Sequence, residues 1–323
     1  VTRTDVDVLV IGAGVVGLSA AVCLAESGRS VLVRTRDHPT RTSSCAAGAL
    51  WGPVMAAHAR SIRWSQRTLS ELTVLAGRPD TGVRLVSGLE ASRSPTEPHT
   101  WLSGVTDFHP CPSGDLPDGF VSGWRYTAPV VDMPLYLAFL VRRLRAAGGR
   151  VEIGEVTSLD DALARVPLVV NCTGCAARDM VPDPAVVPTR GQLVVADNPG
   201  VDWFFAEHAE AAAELTYFLP HGDHIVLGST VEPDQPDPTP RPETAAAIVA
   251  RCARVEPALA GARVRAHRVG FRPVRPQVRL ERVDVGGRTL IHDYGHGGAG
   301  VSLSWGCAVD LLTMVEERTP AHF

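Results

Sequence analysis

The sequence predicts an α/β fold, a parallel-sheet domain joined to a second, mixed and partly antiparallel α+β domain. Three observations carry this. Val8-Leu9-Val10-Ile11 is a short, continuously apolar run ended by glycines, as in a strand buried on both faces of a parallel sheet. From Val15 to Glu26 apolar residues recur at helical spacing, with Gly28 as a stop, and Ser30-Val31-Leu32-Val33 returns to strand character; the result is one βαβ unit. Residues 214–228 follow a different pattern, two alternating runs around the turn Pro220-His221-Gly222-Asp223, which predicts an antiparallel hairpin.

Met133 to Ala147 has the helical period, with Leu135, Leu137, Leu140, Val141 and Leu144 placed on one stripe and Gly148-Gly149 ending it. Leu168-Val169-Val170-Asn171 is another buried strand, and both segments are expected to rejoin the first sheet. The proline-rich stretch 232–242 is a surface connection, a helix restarts over 243–252, and a last helix runs from about Val301 to Val315. The first domain is therefore discontinuous, built from 1–55, 130–180 and 262–323, with 56–129 and 181–261 forming the second.

At 323 residues, 45% hydrophobic and 20% charged, the chain has the composition of a folded globular protein. A net charge of -4 supplies no basic footprint for nucleic acid. No uncharged apolar run reaches the length of a membrane span, and the amino-terminal residues lack a signal-peptide pattern, so a cytoplasmic location is expected. Seven scattered cysteines indicate reduced thiols. Cys172 and Cys175 form a C-x-x-C without a second pair at zinc-ligand spacing, so no metal site is expected.

Gly12-Ala13-Gly14-Val15-Val16-Gly17 matches G-x-G-x-x-G between a strand and a helix, the Rossmann-type pattern that receives a pyrophosphate at a helix N-terminus. The acid that usually holds the ribose at the end of the second strand is replaced by Thr35 within Val33-Arg34-Thr35-Arg36-Asp37. Either the Thr35 hydroxyl makes that contact, the reading preferred, or Asp37 reaches in. Arg34 and Arg36 hint at a 2′-phosphate but read equally well as solvent-facing charges. Near the carboxyl end Gly295, Gly297 and Gly300 repeat the spacing, yet only one helix can follow, so a second βαβ unit cannot form. A glycine loop aiming a helix N-terminus, with Ser302 as a hydrogen-bond donor, suits the charge of a reduced flavin. Without a fold for NAD(P)H, oxygen is the simplest electron acceptor. Between His267 and Arg279, prolines and arginines define a stiff extended segment whose guanidinium groups can clamp a carboxylate, although Arg275 and Arg279 individually suit surface ion pairs.

Taken together, Val10 to Leu18, Ala46-Ala47-Gly48, Val170-Asn171-Cys172-Thr173-Gly174, Gly270 to Gln277 and Tyr294-Gly295-His296-Gly297-Gly298 closely resemble the D-amino acid oxidase family, which includes D-aspartate oxidase. The resemblance implies non-covalent FAD and oxidation of a D-amino acid, by hydride transfer from Cα to flavin N5, to an imino acid that hydrolyses to a keto acid and ammonia while oxygen becomes hydrogen peroxide. It implies that Arg272 pairs with the substrate carboxylate, that the Tyr217 hydroxyl assists, and that the Gly298 carbonyl accepts from the substrate amine. The FAD contacts it implies run through Gly12, Gly14, Val15, Val16 and Gly17, then Thr35 and Arg36, the hydroxyl-rich Thr42 and Ser43, and Ala47 and Gly48. They continue through Leu50 and Trp51, Cys172, Thr173 and Gly174, Arg272, and finally Gly297, Gly298, Gly300, Val301 and Ser302.

Two departures bear on substrate choice. A second tyrosine, four residues before the first in many members, is Ala213 here, which predicts a more open or mobile lid. Leu50-Trp51-Gly52-Pro53-Val54 is small or apolar where polar groups often occur, which predicts neutral side chains. Glu207 and His208 are expected at the lid, facing solvent. D-aspartate oxidase, a glycine-oxidase-like amine oxidase and a non-catalytic flavin-binding sensor are the alternatives, and a homodimer is a possible assembly.

Overall fold

The computed structural model describes residues 6–53, 57–208 and 214–317. In chain order its main elements are β1 (Val8–Ile11), α1 (Val15–Glu26), β2 (Val31–Thr35), α2 (Ser61–Ala76), β3 (Val83–Ser92), β4 (Thr106–Pro110) and β5 (Ser122–Val131). Then come α3 (Met133–Ala146), β6 (Arg150–Ile153), α4 (Leu159–Leu163), β7 (Leu168–Asn171), α5 (Ala177–Met180), β8 (Val187–Asp197), β9 (Phe204–Glu207), β10 (Glu214–Pro220) and β11 (His224–Thr230). The chain continues through β12 (Glu232–Pro233), α6 (Pro242–Val255), β13 (Val264–Val285), β14 (Arg288–His296) and α7 (Gly300–Glu316).

The strands form one continuous path, β4-β5-β3-β9-β10-β11-β8-β13-β14-β7-β1-β2-β6, with β12 beside β8. Its end from β14 to β6 is parallel. Apolar residues alternate across this layer: Val8, Val10, Val31, Val33 and Val170 face the core beneath α1, α3 and α7, while Leu9, Ile11, Leu32 and Val169 face the smaller core under α4. Both faces are covered, which is why these strands are continuously apolar in sequence. The expected βαβ unit, the return of Leu168–Asn171 beside β1 and the hairpin of β10 and β11 are all present. The antiparallel part buries Val194, Ala196, Phe205, Phe218, Ile225 and Leu227 under α6, and turns its other face, with Tyr217 and Gly228 in register, toward the interior cleft.

One expectation is corrected. Leu135 is 54% exposed, and the buried stripe of α3 is instead Met133, Tyr136, Leu137, Leu140 and Leu144. A stripe at 3.6-residue spacing through Met133, Leu137 and Leu140 takes in Tyr136 and leaves Leu135 on the opposite side. The expectations for Ala213 and Val54 fall outside the described residues.

Helix α7 lies against α2 at a contact so close that a methyl on Gly306 would overlap the backbone of Trp64. Gly306→Ala is therefore expected to lower stability by about 1–3 kcal/mol, the scale of an overpacked core, seen as a lower midpoint in thermal unfolding.

Candidate active site

The parallel strands end at their carboxyl edge in a cleft of about 980 Å³ that extends onto the inner face of β10, β11 and β8. Ligands of open α/β sheets bind at this edge. All the residues expected at the site line this one cleft, from Gly12 to Gly17, Thr35 and Arg36 at one end to Tyr217, Arg272, Gly297, Gly298, Gly300, Val301 and Ser302 at the other.

At the β1–α1 junction the glycines act as their positions require. Gly12 has φ +107, a conformation side chains avoid, and a methyl there would overlap the carbonyl of Cys172, the residue after β7. A methyl on Gly17 would overlap the Gly12 carbonyl, so α1 packs directly on the turn. Ser44 Oγ accepts from Val15 N at 3.0 Å, drawing the hydroxyl-rich turn over the helix start. Thr42 donates its own proton to the Pro39 carbonyl. At the end of β2 the buried Thr35 hydroxyl donates to the Asp37 carbonyl, leaving its oxygen to accept. Arg34 pairs with Glu152 and Arg36 with Asp37, so their charges are met within the chain. The residues present therefore fit a dinucleotide: a glycine cradle, a helix N-terminus and hydroxyls at one edge.

The second half of the cleft is set by β13. Its first part pairs with β8, with Arg272 opposite Thr189 and Gly270 opposite Gly191. Its later part pairs with β14, and Gly297 N donates to Pro273 O at 2.9 Å. Arg272 is thereby held beside the glycine loop. Its guanidinium lies over Gly191, where a methyl would overlap it, and donates to Thr230 O and Ser229 Oγ, both at 3.0 Å. No described carboxylate pairs with it, and burial lowers its pKa. Tyr217 crosses Gly228, which has no room for a methyl, and its hydroxyl approaches Gly48. Burial raises its pKa, against the lowering influence of Arg272 and Ser229, so the phenol keeps its proton and remains a donor. Gly298 is exposed on the cleft wall.

Several expectations change. Ser302 donates its proton to Gly52 O and accepts from Gly52 N, both at 2.9 Å; it ties α7 to the 50–53 segment, and the donor expected for a flavin is already engaged. Glu207 and His208 do not face solvent. His208 is 9% exposed with Nδ1 2.7 Å from Glu90, and Glu207 pairs with Arg93, because the end of β9 runs beside β3. Arg275 pairs with Asp183, and Arg279 with Glu281, as expected of ion pairs. Sequence reasoning missed Ser44, Ser229, Glu90, His99, Trp101 and Tyr126, all on the cleft wall. A lone hydroxyl after a strand carries no pattern; Gly228, at the end of the expected hairpin, is the kind of strand glycine that accompanies a close approach.

Beneath the cleft, Asn171 Oδ1 accepts from Thr173 N and Oγ1, which fixes the amide so that its nitrogen donates to His292 Nδ1 at 3.2 Å. The neutral ring is required there; burial, aided by Arg279, takes its pKa from the ordinary 6.5 to about 4. An unfolded histidine binds a proton below 6.5 that the folded one refuses until about 4, so stability should fall as pH drops through that window and level off below it. His292→Gln should flatten this part of the profile in denaturant titrations at successive pH values.

A model of FAD dependent oxidoreductases, the DAO family, matches residues 7–313. The chain is 47% identical over 310 residues to the D-amino-acid oxidase of Rubrobacter xylanophilus, covering 95% of this chain and 94% of that one. It is also 47% identical over 308 residues to the D-amino-acid oxidase of Streptomyces coelicolor, covering 94% and 95%. In fold it resembles glycine oxidase from Geobacillus kaustophilus, with a TM-score of 0.80 at 19% identity over 98% and 96% of the two chains. No helix among the described residues is long and apolar enough to cross a membrane. With the glycine cradle, the second glycine loop and the relatives in agreement, the chain belongs to the D-amino acid oxidase family of FAD-dependent oxidoreductases.

Proposed function

We propose that the chain oxidises D-amino acids, neutral ones in preference, to imino acids at the expense of oxygen. The observation that carries this is the buried Arg272 guanidinium, with no carboxylate partner among the described residues, beside a protonated Tyr217, on the wall of the same cleft that cradles the dinucleotide. A desolvated cation without an anionic partner is unfavourable until a carboxylate arrives. Arg272 binds that carboxylate through its fork, Tyr217 donates to it, and the Gly298 carbonyl accepts from the amine. These anchors orient Cα, so no side-chain base is required. Bound FAD supplies the two-electron acceptor. The substrate loses a hydride from Cα and a proton from nitrogen; oxygen takes up two electrons and two protons to give hydrogen peroxide, and the imino acid hydrolyses to a keto acid and ammonia.

The preference for neutral side chains is supported by the apolar wall of Leu50, Trp51, Trp101, Leu215 and Leu219. The other arginines on the cleft, Arg34, Arg36 and Arg41, lie on β2 and the turn after it, at the dinucleotide end. The Glu90 carboxylate is engaged by Tyr126 and His208. In this reading the segments 1–55, 130–180 and 262–323 hold FAD and the remaining segments receive the substrate, with Arg272 between them. The protein acts in the cytoplasm, as a possible homodimer.

Mixing the yellow protein anaerobically with D-alanine or D-valine should bleach the flavin rapidly; an unchanged spectrum with every D-amino acid would overturn the proposal in favour of a flavin-binding sensor. Arg272→Ala should retain FAD yet lose on the order of 10²-fold or more in kcat/KM, mostly through KM, as expected when a charge partner is removed. Arg272→Lys should recover only part, because it restores the charge and not the fork. Normal turnover by Arg272→Ala would contradict the assigned role.

A further inference from the structure

Among the described residues one buried carboxylate of the cleft has no hydrogen bond. Asp293 is 1% exposed, and neither Oδ1 nor Oδ2 has a hydrogen-bond partner among them. Other buried or half-buried acids of this protein are well supplied: Glu90 accepts from Tyr126 and His208, Asp183 from Tyr294, Arg275 and Ala185 N, and Asp310 from Arg60, Arg63 and Trp64. His296 Nε2 lies 3.3 Å from Asp293 Oδ1 and also stands 3.5 Å from Cys307 Sγ. Buried carboxylates without donors are rare, and one on a cleft wall marks a place where a ligand brings the donor.

Its position identifies which donor. β14 pairs with β7 as far as His292 opposite Asn171, and Asp293 stands one residue beyond, at the carboxyl edge of the parallel layer. The dinucleotide cradle is on β1 and the ribose position on β2, to one side. A ring that meets a substrate held by Arg272 must lie on the other side, past β7 and β14. The part of FAD that spans from the pyrophosphate to that ring is the ribityl chain, which carries hydroxyl groups.

We propose that Asp293 is a cofactor-binding residue whose carboxylate accepts a hydrogen bond from a ribityl hydroxyl of FAD. The inference rests on the reading of Arg272 as the substrate end of the cleft. It explains how a buried acid is tolerated near an anionic cofactor: the hydroxyl supplies the donor that the protein withholds, and His296 supplies the second polar contact.

The test measures binding rather than turnover. FAD is titrated into apoprotein and followed by quenching of flavin fluorescence, for the wild type, Asp293→Asn and Asp293→Ala. Loss of a hydrogen bond to a charged acceptor should weaken Asp293→Ala by roughly 10- to 100-fold, and Asp293→Asn, which keeps an acceptor oxygen, by less. FAD analogues lacking each ribityl hydroxyl in turn locate the contact. One of them should bind the wild type more weakly than FAD does, yet bind Asp293→Ala as well as FAD does. Equal binding of FAD by wild type and Asp293→Ala overturns the proposal. So does equal binding of FAD and every deoxy analogue by the wild type, a measurement that stands even if the variants do not fold. Asp293, His296 and Cys307 place their donor atoms within 4.8 Å of one another, so metal analysis accompanies the titration. A stoichiometric divalent ion lost in Asp293→Ala would make the carboxylate a metal ligand and equally overturn the proposal. Because turnover is not read, failure here leaves the D-amino acid assignment to its own test.

Discussion

The molecule depends on the hydrogen-bonding of a single long strand. β13 pairs with β8 through its first half and with β14 through its second, so the antiparallel layer and the parallel layer share one backbone. A strand paired on successive edges cannot slide without breaking a row of backbone hydrogen bonds, and a one-residue shift would turn every side chain to the opposite face. Arg272 lies in its first half, near the crossover, and the Gly297–Pro273 hydrogen bond ties it to the loop that begins α7. The distance between the carboxylate anchor and the cofactor cradle is thus a property of sheet register.

Close backbone approach is the second constraint. Gly12 against Cys172, Gly17 against Gly12, Gly191 beneath Arg272 and Gly228 beneath Tyr217 each remove a methyl where another group must pass. The first pair admits the dinucleotide at a helix N-terminus; the second lets two large polar side chains lie flat on a sheet instead of standing out from it. The outcome is a cleft whose walls are mostly glycine, hydroxyl and apolar surface, with few charges. Most of its ionic groups are paired internally, Arg34 with Glu152, Glu207 with Arg93 and Glu90 with His208. Arg272 and Asp293 stand apart from these: among the described residues no carboxylate pairs with Arg272, which donates only to Thr230 O and Ser229 Oγ, and no hydrogen-bond donor reaches the Asp293 carboxyl.

Much of this was legible in the sequence because it is written in local spacing. A glycine turn after an apolar strand, the second glycine loop before the last helix and the proline-stiffened arginine segment are patterns of neighbouring residues, and each contributes residues to the cleft wall, Gly12, Gly297 and Arg272 among them. The less legible part has a common cause. Ser302 was expected to serve a ligand and instead clips Gly52, 250 residues away in sequence. His208 was expected in solvent and instead meets Glu90, 118 residues away, because β9 lies beside β3. Ser44, Ser229 and Trp101 carry no motif and reach the cleft through the path of the chain alone.

The amino-acid sequence by itself determined the βαβ unit, the hairpin, the helical stripes apart from the turn of α3 at Leu135, and the family, since each follows from periodicities and motifs spanning tens of residues. Tertiary structure alone decided which polar groups are satisfied by the protein and which are left for a ligand. That is a question of partners in space: whether Ser302 is occupied, whether Arg272 lacks an acid and whether Asp293 lacks a donor depend on strands brought together from distant parts of the chain, and spacing along the chain does not encode them.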